Sequence, residues 1–487
     1  MSRASPLFDA LREVAEQHPD ALALRGFDGE RLCSLDFGGV YAACMRFRER
    51  LVDAGGGRGA LLLEAPGQVA TPVALLAGLW AGRSVLPVSP QTTPSELAGL
   101  TERTGATLAI GSAAFLERLP ASLQLRIAAG EILASTATRE EGCTGPRETG
   151  SLLLQSSGTS GMPKIVRRSS EAFHAVGQNV ARALSLSGDD TILLTLPLHH
   201  SYALDMLAAA LAGGCALEIH ERFVPARARK ALWEAGISVW PAVPVMLDAL
   251  SRGQGDPARP PALRHVLSAG SPLPRRVYDQ FEASHGIRVA QIYGASEFGS
   301  VTCGEPETPG FAPGGVGRPL GGVRLEVDPP GGEGEVLVAA PSMMQEYLGE
   351  AWPFDARGFL RTGDLGRLDV DGGLTLTGRI KLLIDVGGQK VNPLEVEDVL
   401  AEHPEVAEAV VVPVPWSDTS ERHTAVIIPE AGCSPDPVDL RRFAHQHLSG
   451  YKVPRTFRVR REVPRSATGK ILRRQLQQLE WAPSEGP

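Results

Sequence analysis

The stretch "LLLQSSGTSGMPKIVRRSSEAFHAVGQNVARAL", residues 152–184, joins an apolar strand-like run to a helical pattern through a loop of small residues. The loop, "SSGTSGMPK" (156–164), holds four hydroxyls, two glycines and a lysine. Glycines expose backbone N–H groups, hydroxyls add donors and the lysine adds positive charge, a combination suited to wrapping a polyphosphate. It is not the common phosphate loop. In G-x-x-x-x-G-K-[ST] the second glycine would fall on Pro163, and no Ser or Thr follows Lys164.

The same strand-then-helix grammar continues on both sides. "GALLLEA" (59–65) precedes "VATPVALLAGLWAG" (69–82), "TILLTLPL" (191–198) precedes "ALDMLAAALAGG" (203–214), and "RHVLSAG" (264–270) precedes "PRRVYDQFEASHG" (274–286). Near-continuous apolar strands alternating with helices predict an α/β fold with parallel sheets covered on both faces. After about residue 310 the pattern shifts to Gly/Pro turns and short alternating strands such as "GEVLVAA" (334–340) and "GGLTLTGRI" (372–380), a β-rich, barrel-like subdomain. A helix, "NPLEVEDVLAEHP" (392–404), and a strand, "VAEAVVVPVP" (406–415), then open a last α/β segment. The expected organisation is a large domain over 1–378, with 310–378 β-rich, and a small mobile domain over 379–487.

The 487 residues are 43% hydrophobic and 21% charged, with a net charge of -8, which excludes a general nucleic-acid binder because no cationic excess exists to neutralise phosphates. The six cysteines are scattered with no C-x-x-C pair, which favours reduced thiols over a disulfide frame or a zinc site. The N-terminal segment reads as an amphipathic helix, not a secretory signal, and no run is long and apolar enough to span a bilayer. A cytoplasmic location is the expectation.

Four further segments accompany the loop: "YGASE" (293–297), "RTGDLG" (361–366), "GRIKLLIDVGGQKVNPLEVE" (378–397) and "PRSATGKILRR" (464–474). Together, and in this order, they resemble the motifs of the acyl-adenylate-forming superfamily of acyl-CoA synthetases, peptide-synthetase adenylation domains and luciferases. The loop departs from that pattern at Ser156, Ser160 and Ile165. The resemblance implies ATP and Mg²⁺ as cofactors and a role for each motif residue. Ser156, Ser157, Gly158, Thr159, Ser160, Gly161 and Lys164 would wrap the phosphates, and Tyr293, Gly294 and Ala295 would border adenine. Ser296 would touch the α-phosphate, Glu297 would bind Mg²⁺, Asp364 would hold the ribose, and Arg379 would contact ribose or phosphate. Lys470 would be the adenylation lysine and Lys381 the hinge about which the small domain rotates between half-reactions. The residue types suit that chemistry. A carboxylate and an α-phosphate repel, so cations must offset the repulsion and hold them in line.

The acid-binding stretch is expected after the strand at 191–198, in "LPLHHSYALDM" (196–206). It resembles the corresponding stretches of hydroxycinnamate–CoA ligases and aryl-acid adenylation enzymes, which implies that His200, Ser201 and Tyr202 border the acid. Ser268, Ala269, Gly270 and Gln291 are further wall residues by the same resemblance. Ser201 stands where amino-acid adenylation domains place an aspartate, and a buried ammonium without a counter-charge is costly. Asp205 could rescue an amino-acid substrate, but it lies four residues on. The implied activity is an AMP-forming ligase joining an aryl or acyl carboxylic acid to the thiol of CoA or of a carrier protein's phosphopantetheine. A stand-alone amino-acid adenylation enzyme and a catalytically inactive binding protein of the same fold are the alternatives.

Overall fold

The computed structural model describes residues 6–28, 31–53, 59–123, 125–133, 150–156, 164–252, 259–304, 312, 314–386, 389–417, 420–466 and 469–481. The chain groups into two compact units. The first holds residues 1–311, 316–324 and 338–360; the second holds 312–315, 325–337 and 361–487.

The first unit contains two sheets. In one, six strands run in the order Val289–Ala295, His265–Ser268, Val239–Ala242, Thr191–Leu194, Ala216–Ile219 and Leu22–Asp28, every neighbouring pair parallel. Antiparallel strands flank this block, Arg31–Asp36 on one side and Gly299–Cys303 on the other. In the second sheet the order is Glu346–Tyr347, Ile165–Ser169, Ser151–Gln155, Ser84–Val88, Ala60–Glu64, Ala106–Gly111 and Leu125–Ala128. The last five are parallel, and the first two join antiparallel. The expected α/β class with two parallel-type sheets is therefore observed.

Burial explains the strand sequences. All five residues of Ala60–Glu64 are buried, as expected for a strand covered on both faces. The helix Ala70–Trp80 has almost no polar face and is buried from Ala70 through Leu79. Its Gly78 lies so close to the sheet that a Cβ there would sit 2.8 Å from Val85 and 2.9 Å from Leu61 side-chain atoms. The strand expected over 191–198 ends at Leu194, and residues 195–200 turn into the helix Ser201–Gly213, whose first residues are Ser201 and Tyr202. This turn places His200, Ser201 and Tyr202 at the carboxyl end of the strand Thr191–Leu194.

Ile165, where the family loop has glycine, is a buried strand residue opposite Gln155, packed with Leu153 in the core. Its side chain replaces backbone freedom with apolar burial, an exchange worth roughly 1.5–3 kcal/mol for a fully buried isoleucine.

The strands Arg324–Asp328, Gly334–Ala339, Leu360–Leu368 and Leu374–Arg379, neighbours in that order, supply the β-rich part, most of their residues belonging to the second unit. The helix Pro393–Ala401, the hairpin Val406–Ser417/Ser420–Pro429 and the helix Pro437–His447 enclose a separate core. Val411 belongs to that core, whereas its neighbours Val410 and Val412 pack with Leu476 on the opposite face. Both faces of the hairpin are thus covered, which accounts for the unbroken apolar run "VAEAVVVPVP". Arg473 clamps the last helix by donating to Glu397 Oε2 (2.6 Å) and to the Val411 carbonyl (2.9 Å).

Among the described residues, Cys33, Cys44, Cys215, Cys303 and Cys433 form no disulfide. Burial pushes the thiols of Cys44 and Cys215 up to about 12. No group of described His, Cys, Asp and Glu side chains is arranged to hold a metal by itself, and no described helix is long and apolar enough to cross a membrane.

Candidate active site

Ser157, Gly158, Thr159, Ser160 and Gly161 lie outside the described residues; the two ends of their loop are described. The Ser156 amide donates to the Lys164 carbonyl at 2.9 Å, closing the loop's neck directly above the strand pair Ser151–Gln155/Ile165–Ser169.

Ser296 and Glu297 sit on the turn of the hairpin Val289–Ala295/Gly299–Cys303. Gly294 makes that turn tight: a Cβ there would lie 2.6 Å from the Gly299 carbonyl oxygen. The Ser296 hydroxyl lies 3.5 Å from the Gln155 carbonyl at the root of the phosphate-loop segment, so the two motifs, 141 residues apart in sequence, adjoin in space. Tyr293 and Ala295 precede them on the strand, with Tyr293 buried and its ring centred 5.5 Å from that of Phe298.

Glu297 is half-buried, and its Oε1 accepts from the Tyr347 hydroxyl at 3.0 Å. Burial and the adjacent carboxylate drive the Tyr347 phenol upward, which keeps it a neutral donor. The Lys164 ammonium stands 4.4 Å from the centre of the Tyr347 ring and forms an ion pair with Glu350. Glu297 therefore offers hard carboxylate oxygen to a cation, a donor type that fits Mg²⁺ sharing its shell with phosphate oxygens.

The acid-pocket candidates group around the carboxyl ends of the parallel strands, where open α/β sheets place their ligands. The rings of His199 and His200 are centred 4.5 Å apart. Burial lowers both imidazoles to about 4, and His200 adds to the effect on His199, so both are neutral near pH 7. The Tyr202 hydroxyl and Ser268 Oγ are buried without a hydrogen-bond partner among the described residues. Ser268 pairs in register with Gln291, and both are buried; Ala269 follows, and Gly270 turns the chain with φ 84°.

Sequence reasoning left Asp205 open to a substrate ammonium. The structure closes that option. Its Oδ1 accepts from Arg168 at 3.1 Å, and its Oδ2 accepts from the Ser300 amide (2.8 Å) and hydroxyl (3.0 Å). Arg168 is fully buried, so this is an internal ion pair with its carboxylate saturated. A lone acid in the apolar run "ALDMLAAALAGG" was the one signal for such a partner. Tyr347 and Glu350 left no comparable mark, because "EYLGE" reads only as one more short strand with a turn.

In the second unit, Asp364 and Arg379 are register partners on adjacent strands and form an ion pair. Lys381 is exposed on the short turn Ile380–Leu382 that follows. Lys470 sits on a tight turn: its amide donates to Ser466 Oγ at 3.2 Å, and its carbonyl accepts from the Ser466 amide at 2.8 Å. Gly469, at φ 78°, supplies the left-handed residue this turn requires.

Comparison with known proteins shows the family. The AMP-binding enzyme family model matches residues 11–348, and the model of the AMP-binding enzyme C-terminal domain matches residues 395–470. A fatty acid–[acyl-carrier-protein] ligase of Streptomyces coeruleorubidus is 31% identical over 83% of this chain and 83% of its own length. A 2-succinylbenzoate–CoA ligase of Geobacillus kaustophilus is 32% identical over 79% of this chain and 76% of its own. Among solved structures, the o-succinylbenzoate coenzyme A synthetase of Bacillus subtilis in complex with ATP and magnesium superposes with a TM-score of 0.83 at 26% identity, covering 96% of this chain and 99% of that one. The chain belongs to the AMP-binding enzymes, and it is an AMP-forming acid–thiol ligase.

Proposed function

We propose that this ligase activates an aryl or acyl carboxylic acid lacking an α-amino group, and passes it to the thiol of CoA or of a carrier-protein phosphopantetheine. The observation that carries the substrate class is the saturation of Asp205 by Arg168 and Ser300. With both its oxygens engaged, Asp205 is not free to offset an ammonium, whereas neutral His200, Tyr202 and Ser268 suit an uncharged body.

In this reading Ser296 and the loop 156–164 hold the ATP phosphates, Glu297 would hold Mg²⁺, and Asp364 with Arg379 holds the ribose. Bound Mg²⁺ supplies neutralisation of phosphate charge. Attack by the substrate carboxylate on the α-phosphorus forms the acyl–adenylate bond and breaks the bond to pyrophosphate. Lys470 offsets the charge of the two anions, and Lys381 is the hinge. The rotating small domain begins at Arg379, inside the second compact unit, and the chain works in the cytoplasm. An acidic carrier helix would meet Arg441 in preference to Arg442 or Lys452, which are paired to Asp439 and Glu395.

The test is pyrophosphate exchange across a panel of aryl, alkyl and α-amino acids. Exchange is expected with acids lacking the amino group; exchange confined to amino acids would overturn the substrate class. Lys470→Ala is expected to lose exchange by about 10²–10³-fold, the scale of removing one transition-state electrostatic contact, while remaining folded by circular dichroism.

A further inference from the structure

The short strand Glu346–Tyr347 carries a residue that reaches both halves of the candidate phosphate site. Its backbone is fixed on two sides. Tyr347 pairs with Val166, one residue past Ile165, and the Gln345 and Leu348 amides donate to the Arg167 and Ile165 carbonyls at 2.7 and 2.8 Å. Just upstream, the Met344 amide donates to the Glu297 carbonyl at 2.7 Å. The segment is thereby stitched to the exit of the phosphate loop and to the hairpin turn bearing Glu297.

From this position Tyr347 makes two different contacts. Its hydroxyl donates to Glu297 Oε1 at 3.0 Å, and its ring lies 4.4 Å from the Lys164 ammonium. A donor to one carboxylate oxygen fixes the plane of the group and so the direction in which it presents oxygen to a cation, the way outer partners orient metal ligands. A ring face under an ammonium lowers its energy while leaving its protons free to point outward. Glu350, three residues on, holds the same ammonium through its carboxylate.

We propose that Tyr347 is a positioning residue for both halves of the magnesium–phosphate contact, its hydroxyl orienting Glu297 and its ring seating Lys164. This rests on the reading of Glu297 as the Mg²⁺ ligand and Lys164 as a phosphate contact. Tyr347→Phe separates the two roles, because it removes the hydroxyl and keeps the ring; Tyr347→Leu removes both.

The measurement is calorimetric ATP binding to the full chain, in EDTA and across a Mg²⁺ titration, with Mn²⁺ affinity of the ATP complex read by electron paramagnetic resonance. Tyr347→Phe is expected to weaken metal affinity about 10-fold or more, the lower end for an outer partner of a ligand, and to keep ATP affinity in EDTA within about twofold. Tyr347→Leu is expected to weaken ATP binding in EDTA as well. Glu297→Gln is the reference arm. If Glu297→Gln loses metal dependence and Tyr347→Phe keeps it unchanged, the positioning role is wrong while the ligand assignment stands. If Glu297→Gln itself keeps full metal dependence, the ligand assignment fails and the role of Tyr347 goes with it. Equal metal-free ATP binding in the Phe and Leu variants would remove the ring's role. Matched melting temperatures identify variants that are fully folded, and the Phe variant leaves every backbone bond of the strand in place.

Discussion

Asp205 and Arg168 form a charge pair buried in the first unit. Removing one partner leaves an uncompensated charge, so Asp205→Ala is expected to cost about 3–5 kcal/mol in urea unfolding. The double change Arg168→Met/Asp205→Leu is expected to cost much less, because apolar replacement of the whole pair avoids that charge. His199 and His200 make the second prediction at this scale. Their folded values near 4 lie below the ordinary 6.5. The unfolded chain therefore takes up protons first as pH falls from 6.5 toward 4, and stability declines across that window. The ceiling is roughly 3 kcal/mol per ring, and His199→Asn/His200→Asn is expected to flatten the fall in melting temperature. The sequence showed His200 and Tyr202 through their resemblance to acid-pocket residues. It hid the saturation of Asp205, because Arg168 and Ser300 come from distant segments.

Among the elements, the helices Ser170–Ala183 and Ser201–Gly213 pack at Gly177, where a Cβ would sit 2.4 Å from the Ala208 carbonyl oxygen. Backbone cannot yield as a flexible side chain can, so Gly177→Val is expected to cost about 1–3 kcal/mol by overpacking, measured as a shift in the urea midpoint. Because Ser201 and Tyr202 begin the second helix, that variant should also raise the KM for the acid more than for ATP. The strand–helix alternation was legible because covered parallel strands must be apolar throughout. The early end of the strand at Leu194 was not, since "TLPL" continues the apolar run into a turn. The pairing of Glu346–Tyr347 with the strand after the phosphate loop was equally invisible, because a two-residue strand has no periodicity.

At the scale of the whole molecule, the five ordered motifs made the family readable from the sequence, since their order along most of the chain is more specific than any one of them. The grouping of 325–337 with 361–487 was not readable, because the intervening segment returns to the first unit. Lys381, exposed on a turn right after Arg379, is the natural place to test a two-stage cycle. Lys381→Pro is expected to leave pyrophosphate exchange within a few-fold and to lower thioester formation by at least about 10²-fold, the scale of misplacing a reacting group. Equal losses in both half-reactions would reject the hinge.

Cys44 and Cys215 have a practical consequence. Both sit in the interior of the first unit with thiolate formation suppressed at neutral pH. An alkylating reagent meets them only when that unit opens, while Cys33 and Cys433 stay within its reach. Pulse alkylation followed by mass spectrometry thus converts two native side chains into clocks for one half of the protein, with no dye or tag attached.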